Sequence, residues 1–287
     1  MSLFLVLLFC GFNADSQVKS VYNWKGSVLP LYEKPDAGSR VLLKIPEGAR
    51  LQQNTSQVKL PAFNIVLSYY GSTGLPGKED LNRSGGTWYN LTGNWTKVQY
   101  QDKTGYVPAL FLSRLPDLAV MKNSKNDFEE LVAGYLKGFF GVPVSKNKKE
   151  LPKESKEEIN YQKTYRFKNG NYQVSTYQYF EKDGPGGETH TLFLKGLKKH
   201  EAILLMLKLT SADNSMIPDL HTIKKRVITN SLYDKFCWWY NKELDQGTMT
   251  ERNIDLEFFY YQEGGSAGIT LKETKEGVII TYSFGGC

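Results

Sequence analysis

The chain has 287 residues, of which 40% are hydrophobic and 23% are charged, a balance that suits a globular protein of about two domains. The net charge of +6 is small for this length, and Lys, Arg, Asp and Glu are interspersed without a basic stripe or a known nucleic-acid motif. We therefore expect no nucleic-acid partner. The high aromatic content, with 18 Tyr, 15 Phe and 5 Trp, favours β structure.

The first element is an apolar run over residues 3–12. It is too short to span a bilayer but has the length of a signal-peptide core. Ala14 and Ser16 supply the small residues that precede a cleavage site before Gln17. We predict a signal peptide at 1–16, export to the periplasm or cell surface, and no transmembrane segment in the mature chain. The alternative is a buried N-terminal strand.

Five short strands are predicted next, at residues 28–32, 41–45, 49–53, 95–100 and 105–107. The turns between them are rich in Pro, Asp and Gly. Pro presets φ, Asp accepts hydrogen bonds from the following backbone, and Gly tolerates positive φ. Short strands joined by such turns predict a small, partly open β-barrel.

Three segments carry a resemblance to a known family. Residues 29–51 read LPLYEKPDAGSRVLLKIPEGARL, residues 95–100 read WTKVQY, and residues 105–107 read GYV. This succession of strands and turns resembles the bacterial SH3-like domain family. The resemblance covers about the first third of the chain and implies an SH3-like small β-barrel over residues 17–118, with a long insertion at about 54–94.

The resemblance also implies a function and a binding site. Members of this family are usually binding modules, and they bind extended peptides in a groove lined by aromatic residues. The candidate ligand-binding residues are Tyr32, Trp88, Trp95, Tyr100 and Tyr106. Trp95 either lines this groove or packs against the barrel. The alternative for all five is that they are half-buried parts of the barrel packing.

The insertion at 54–94 departs from the family, whose members connect these strands briefly. A loop of this length without secondary structure is improbable in a compact domain. We expect it to form an extended hairpin or a folded excursion.

The clearest helix is predicted at residues 126–140, where apolar residues recur with helical spacing. Asn126 can cap its first turn, while Gly141 and Pro143 end it. Residues 145–158 are nearly all Lys, Glu, Asn and Pro, and they are predicted to form a solvated loop.

The pattern becomes that of β-strands from residue 159 onward. Asn169-Gly170 is a strong hairpin signal. The apolar run at 202–209 fits either a helix or a buried strand. The pattern predicts an antiparallel-sheet-rich α+β domain over 119–287 with one clear amphipathic helix, in a mostly β chain. The predicted strands are at 161–168, 171–181, 189–194, 225–229, 236–240, 254–261, 268–273 and 278–284.

No catalytic or metal-binding motif is complete. Secreted wall peptidases with SH3-like domains use a Cys in an Asp/Asn-Cys-small-Gly setting, whereas Cys237 lies in an apolar aromatic run. His200-Glu201 resembles the start of a zinc-peptidase motif, but Leu204 stands where the second histidine would be. We expect no catalytic residues, no metal and no cofactor.

Removal of the leader would leave only Cys237 and Cys287. In an oxidising compartment the two can form one disulfide, which we predict. The alternative is two free thiols.

These observations predict an exported, non-enzymatic cell-envelope protein that binds or scaffolds. Its SH3-like domain would bind a cell-wall peptide or an envelope protein. One alternative is a cell-wall-associated hydrolase of unrecognised type that its SH3-like domain targets. Another is a purely structural assembly subunit.

Overall fold

A computed structural model describes most of the chain. The described residues are 18–24, 28–54, 59–68, 88–116, 128–182, 184–210, 219–223, 237–241, 246–250, 256–262 and 264–286. The predicted signal peptide, the predicted strand at 225–229 and Cys287 lie outside these ranges. In the described part the chain is mostly β, with antiparallel sheets and two helices, which confirms the predicted fold class at this level.

The elements follow in chain order. The first part of the chain holds β1 (Val18–Asn23), β2 (Leu29–Tyr32), β3 (Val41–Ile45), β4 (Arg50–Asn54), β5 (Ala62–Ser68), β6 (Trp88–Tyr100), β7 (Lys103–Pro108), a single 3-10 turn (Ala109–Phe111) and β8 (Leu112–Ser113). The second part holds α1 (Phe128–Phe140), β9 (Ser145–Glu150), β10 (Ile159–Arg166), β11 (Tyr172–Tyr179), β12 (Gly186–Lys195), α2 (Lys199–Thr210), β13 (Asp219–Ile223), β14 (Cys237–Asn241), β15 (Gln246–Thr250), β16 (Leu256–Gln262), β17 (Gly265–Glu273) and β18 (Gly277–Gly286).

The first sheet has the strand order β3-β2-β7-β6-β4-β1-β8, and β5 pairs with both β6 and β13. The predicted strands at 28–32, 41–45, 49–53, 95–100 and 105–107 are all present within a few residues, while β1 was not predicted. Among the described residues, the strand order is an open path and the sheet is not closed. The SH3-like barrel therefore remains a proposal.

Two turns of the first sheet have the expected chemistry. In the β2–β3 turn, an Asp36 carboxylate oxygen accepts the backbone N–H of Gly38 at 2.9 Å. In the β3–β4 turn, Gly48 has φ +72°, which favours glycine. The sequence therefore sets the turns, and the turns set which strands pair.

Within the predicted insertion, the described residues form two paired antiparallel strands, which agrees with an extended hairpin, one of the two expected outcomes. β5 pairs with the first half of β6, from Ala62 opposite Asn94 to Ser68 opposite Trp88. The other edge of β5 pairs with β13, so the first sheet also contains a strand from beyond residue 118.

The second sheet has the order β16-β17-β18-β12-β11-β10-β9. The predicted Asn169-Gly170 hairpin is present: Gly170 has φ +86°, and the N–H of Phe167 donates to the carbonyl of Asn171 at 2.9 Å. The prediction of a solvated loop was wrong for residues 145–150. Their side chains are all exposed, as expected, but their backbone pairs with β10 and forms an edge strand.

The two described helices correspond to one sequence segment with a clear helical pattern and one whose pattern was ambiguous. α1 confirms the predicted helix and ends at Phe140, and the next residue, Gly141, has φ +83°. The ambiguous run at 202–209 is helical, because it lies within α2. This helix contacts β17 and β18 on one side and β8 with its 3-10 turn on the other. Residues 202–207 are all apolar, and 202–206 are buried, so this run lacks the separate apolar and polar faces of an amphipathic helix. No helix in the described ranges is long and apolar enough to span a membrane.

Candidate functional site

Four side chains form a row across neighbouring strands of the first sheet. Tyr32 lies opposite Val41 on β3 and opposite Tyr106 on β7, and Tyr106 lies opposite Lys97 on β6. Opposed residues share one face of a sheet. Val41 is 43% exposed, the two tyrosines are half-buried and Lys97 is exposed. We call these four residues the tyrosine row.

Trp95 lies beside the tyrosine row and belongs to the core. It is 5% exposed, and its ring meets Tyr32 and Phe63 edge-to-face at centroid distances of 5.4 Å and 5.3 Å. These contacts fix one face of the Tyr32 ring. Burial raises the pKa of the Tyr32 hydroxyl, which stays neutral as a hydrogen-bonding group.

The other two candidates lie elsewhere. Tyr100 is three positions after Lys97 on β6, so it lies on the opposite face, half-buried against the core. Trp88 begins β6, seven residues before Trp95, which corresponds to about 23 Å along a strand. The side chain of Trp88 lies outside the described residues. The structure thus brings together Tyr32, Trp95 and Tyr106, and the ligand-binding role of all five residues stays a prediction.

Sequence reasoning missed two members of the row, Val41 and Lys97. Val41 faces Tyr32 because the β2–β3 hairpin closes around residues 33–40, with a register irregularity after Leu31. The Pro-Asp-Ala-Gly turn was the available signal for this pairing. Lys97 was visible only as a motif residue, and its place beside Tyr106 follows from the β6–β7 register.

A buried polar network lies on the second sheet. His190 Nδ1 lies 2.9 Å from Ser175 Oγ, and its Nε2 lies 3.0 Å from a Glu188 carboxylate oxygen. The Tyr179 hydroxyl donates to the other Glu188 oxygen at 2.5 Å. A hydroxyl, an imidazole and a carboxylate could in principle perform acyl transfer. Ser175 and His190 are completely buried, however, so solvent cannot bring a substrate to this hydroxyl.

A second polar network joins the two sheets at the start of α2. The side chain of Glu201 is 3% exposed. Its carboxylate accepts one hydrogen bond from the backbone N–H of Arg114 at 2.7 Å and another from the guanidinium Nη2 of Arg114 at 2.9 Å. The guanidinium also donates to the carbonyl of Gly196. Glu201 further accepts the backbone N–H of Lys198 at 3.0 Å, as in one half of a capping box. The incomplete zinc motif is therefore a structural junction.

Both titratable groups of this junction have shifted pKa values. Burial alone would raise the pKa of Glu201, but the hydrogen bonds and charge of Arg114 outweigh it and hold that pKa below its usual range. Burial lowers the pKa of His200, and the attraction of Glu201 and a hydrogen bond with the Leu112 backbone only partly offset this. Both groups therefore favour their deprotonated forms in the folded protein.

Among the described residues, no cluster of three or more His, Cys, Asp or Glu side chains could hold a metal ion. Cys237 begins β14, but its side chain lies outside the described residues, as does Cys287. The disulfide stays a prediction. Its check is thiol titration of the oxidised, unfolded protein, in which we expect no free thiol in the mature chain. Closing a loop of about 50 residues would stabilise the fold by roughly 4 kcal/mol.

Comparisons with known proteins identify no relative. No family model matches the chain, and neither the curated proteins nor the solved structures contain a significant match.

Proposed function

We propose that the chain is an exported, non-enzymatic cell-envelope protein whose first sheet binds an extended peptide, from the cell wall or from an envelope protein. The observation that carries the proposal is the tyrosine row, a partly exposed strip of apolar and aromatic side chains with a lysine at one end. The resemblance of residues 29–51, 95–100 and 105–107 to bacterial SH3-like domains supports it.

The proposal has a physical basis in the tyrosine side chains, which give a large contact area and lose little conformational entropy on binding. Tyrosine rings present large, stiff surfaces with few rotatable bonds, so their ordering on binding costs little. Tyr32 is already held by its edge contact with Trp95 beside it. Lys97 adds a cation that can pair with a side-chain or terminal carboxylate of a peptide. The row crosses four strands at about 4.8 Å each and suits a short extended segment.

The second candidate function is that of a cell-wall hydrolase, in which the first sheet binds the wall and brings the enzyme to its substrate. The Ser175–His190–Glu188 network favours this alternative by composition, since it contains a hydroxyl, an imidazole and a carboxylate in hydrogen-bond contact. Its complete burial opposes the alternative, because a catalytic hydroxyl must reach the scissile bond. We therefore place binding ahead of catalysis.

The test uses the full chain and purified wall sacculi. A binding protein co-sediments with sacculi in proportion to its concentration and releases no soluble wall fragments on long incubation. Release of fragments that Ser175→Ala abolishes would establish the hydrolase instead. Failure to sediment with sacculi would exclude the wall as a ligand and leave an envelope protein as the partner to be sought.

A further inference from the structure

Strand β9 forms one edge of the second sheet. It pairs with β10, and the described residues place no strand on its other side. Just beyond β9, the N–H of Leu151 donates to the carbonyl of Asn160 at 2.9 Å, which makes these two a hydrogen-bonded pair. Hydrogen-bonded and non-hydrogen-bonded pairs alternate along an antiparallel ladder. The backbone N–H and C=O groups of Lys146 and Lys148 therefore point outward, away from β10.

The side chains of this edge are basic and supported by tyrosines. Lys148 Nζ lies 4.2 Å from the centroid of the Tyr161 ring, and Lys146 Nζ lies 5.9 Å from that of Tyr165. All six residues of β9 are exposed, and the side chain of Lys148 is 55% exposed. Residues 144–168 contain eight Lys or Arg and four Glu, so they hold four of the six net positive charges of the chain.

We propose that β9 binds an extended acidic segment of a partner protein, which adds to the second sheet as a further strand. Lys146 and Lys148 are two positions apart, so they lie on one face, about 7 Å from each other. A partner strand with carboxylates at every second position would place each beside a lysine, and opposite charges across a strand pair are stabilising. The outward backbone groups supply the hydrogen bonds that strand addition needs.

The lysines also determine which strands do not pair with the β9 edge. A basic edge repels an identical edge and gives a neutral strand no charge partner, so it guards against edge-to-edge aggregation. An acidic strand is instead attracted to the lysines of the β9 edge. Glu150 competes for the same site, because its carboxylate lies 3.1 Å from Lys148 Nζ. An incoming carboxylate must displace this exposed contact.

The experiment measures binding of a fluorescent peptide to the full chain by anisotropy at low salt. The probe is about eight residues long, with Glu at every second position and Thr between them. One control peptide has Gln in place of Glu. A second keeps the Glu residues but carries a methyl group on each Glu backbone nitrogen, which retains the charge and removes the N–H groups that would face Lys146 and Lys148 across an antiparallel pair.

Five protein variants give distinct expectations. The double variant Lys146→Gln/Lys148→Gln should weaken binding by about threefold to tenfold, as expected for two exposed charge pairs. Glu150→Gln should tighten binding, because it removes the competing carboxylate. Lys148→Pro should weaken binding more than Lys148→Gln, because it also removes an outward N–H at an edge position where Pro is tolerated. The matched control Lys34→Gln/Lys44→Gln removes two exposed lysines of the first sheet and should change nothing.

Several results would overturn the proposal. Equal binding of the unmodified peptide and the peptide methylated on its Glu backbone nitrogens would show charge attraction without strand addition. Equal weakening by the two double variants would show attraction to overall charge. Self-association of the protein that Lys148→Pro abolishes would make a second copy the occupant. The proposal does not rest on the tyrosine row, so the sacculus experiment can fail without affecting it.

Discussion

Arg114 and Glu201 form a polar contact at the junction of the two sheets. Glu201 is buried, and it accepts hydrogen bonds from the backbone of Arg114, from its guanidinium and from the N–H of Lys198. A buried carboxylate without partners is costly, whereas an exposed ion pair contributes little. The chain contains both kinds, since Arg40 and Glu33 form a pair at 2.9 Å in which both side chains are exposed.

This contrast gives the first prediction. Arg114→Ala should lower the free energy of unfolding by about 2 kcal/mol, less than for a fully buried pair because the Arg114 side chain is 45% exposed. Arg40→Ala, the matched control, should lower it by less than about 0.5 kcal/mol. Urea unfolding of both variants measures the difference. Equal losses of unfolding free energy in the two variants would show that the Arg114–Glu201 contact stabilises the protein no more than an exposed ion pair does.

The second prediction concerns pH. The pKa values of His200 and Glu201 are both lowered in the folded protein, so the unfolded chain binds more protons between the folded and unfolded values. Stability therefore rises with pH. The contribution of His200 is complete above its ordinary pKa of 6.5 and is lost below it, and that of Glu201 is lost as pH falls below 4.5.

Urea midpoints measured from neutral pH downward test this dependence. The midpoint should fall in acid, and His200→Gln should flatten its upper part while Glu201→Gln flattens its lower part. A wild-type midpoint that stays constant or rises as the pH falls would contradict the assignment.

Individual elements show what local sequence could predict. The hairpin at Asn169-Gly170 and helix α1 carry their own signals, a turn dipeptide and a helical apolar stripe, and both were predicted. β9 and α2 depend on neighbours. The polar residues of β9 have low strand propensity, and the strand exists because β10 offers a ladder to pair with. α2 has weak periodicity because both of its sides are covered.

The same reasoning applies to the candidate site. The resemblance predicted Tyr32, Trp88, Trp95, Tyr100 and Tyr106 as candidates, and the structure brings only Tyr32, Trp95 and Tyr106 together. It could not place Val41 and Lys97 beside them, since the row depends on the registers of β2 with β3 and of β6 with β7. Register is a property of paired strands and cannot be read from one strand alone.

Alanine substitutions at two glycines should change the stability of the protein in opposite directions. Gly170 has φ +86° in the β10–β11 turn, and Ala there should destabilise the protein by about 1 kcal/mol. Gly138 lies within α1, and a Cβ added there meets nothing within 4 Å. Gly138→Ala should stabilise the protein by about 0.5–1 kcal/mol, because Ala is the better helix former. Thermal unfolding compares the two variants, and shifts of the same sign would contradict these assignments.

In the whole molecule the two sheets are connected in more than one place. α2 packs between them, and β13, from beyond residue 118, pairs with β5 in the first sheet. Arg114 and Glu201 add a polar contact at the same junction. The first sheet therefore depends on residues from the second part of the chain, and binding is best measured with the full chain.

The central claim is that the tyrosine row binds an extended peptide, and one variant pair tests it most directly. Tyr106→Ala should weaken binding of the full chain to sacculi or to an isolated wall peptide by about tenfold, the usual loss for an aromatic residue central to an interface. Tyr172→Ala is the matched control, because this half-buried tyrosine stacks on Phe193 in the second sheet at a centroid distance of 5.2 Å. We predict weaker binding for Tyr106→Ala alone, with similar melting temperatures for both variants. Unchanged affinity of folded Tyr106→Ala would show that the tyrosine is only part of the packing and would contradict the proposed function.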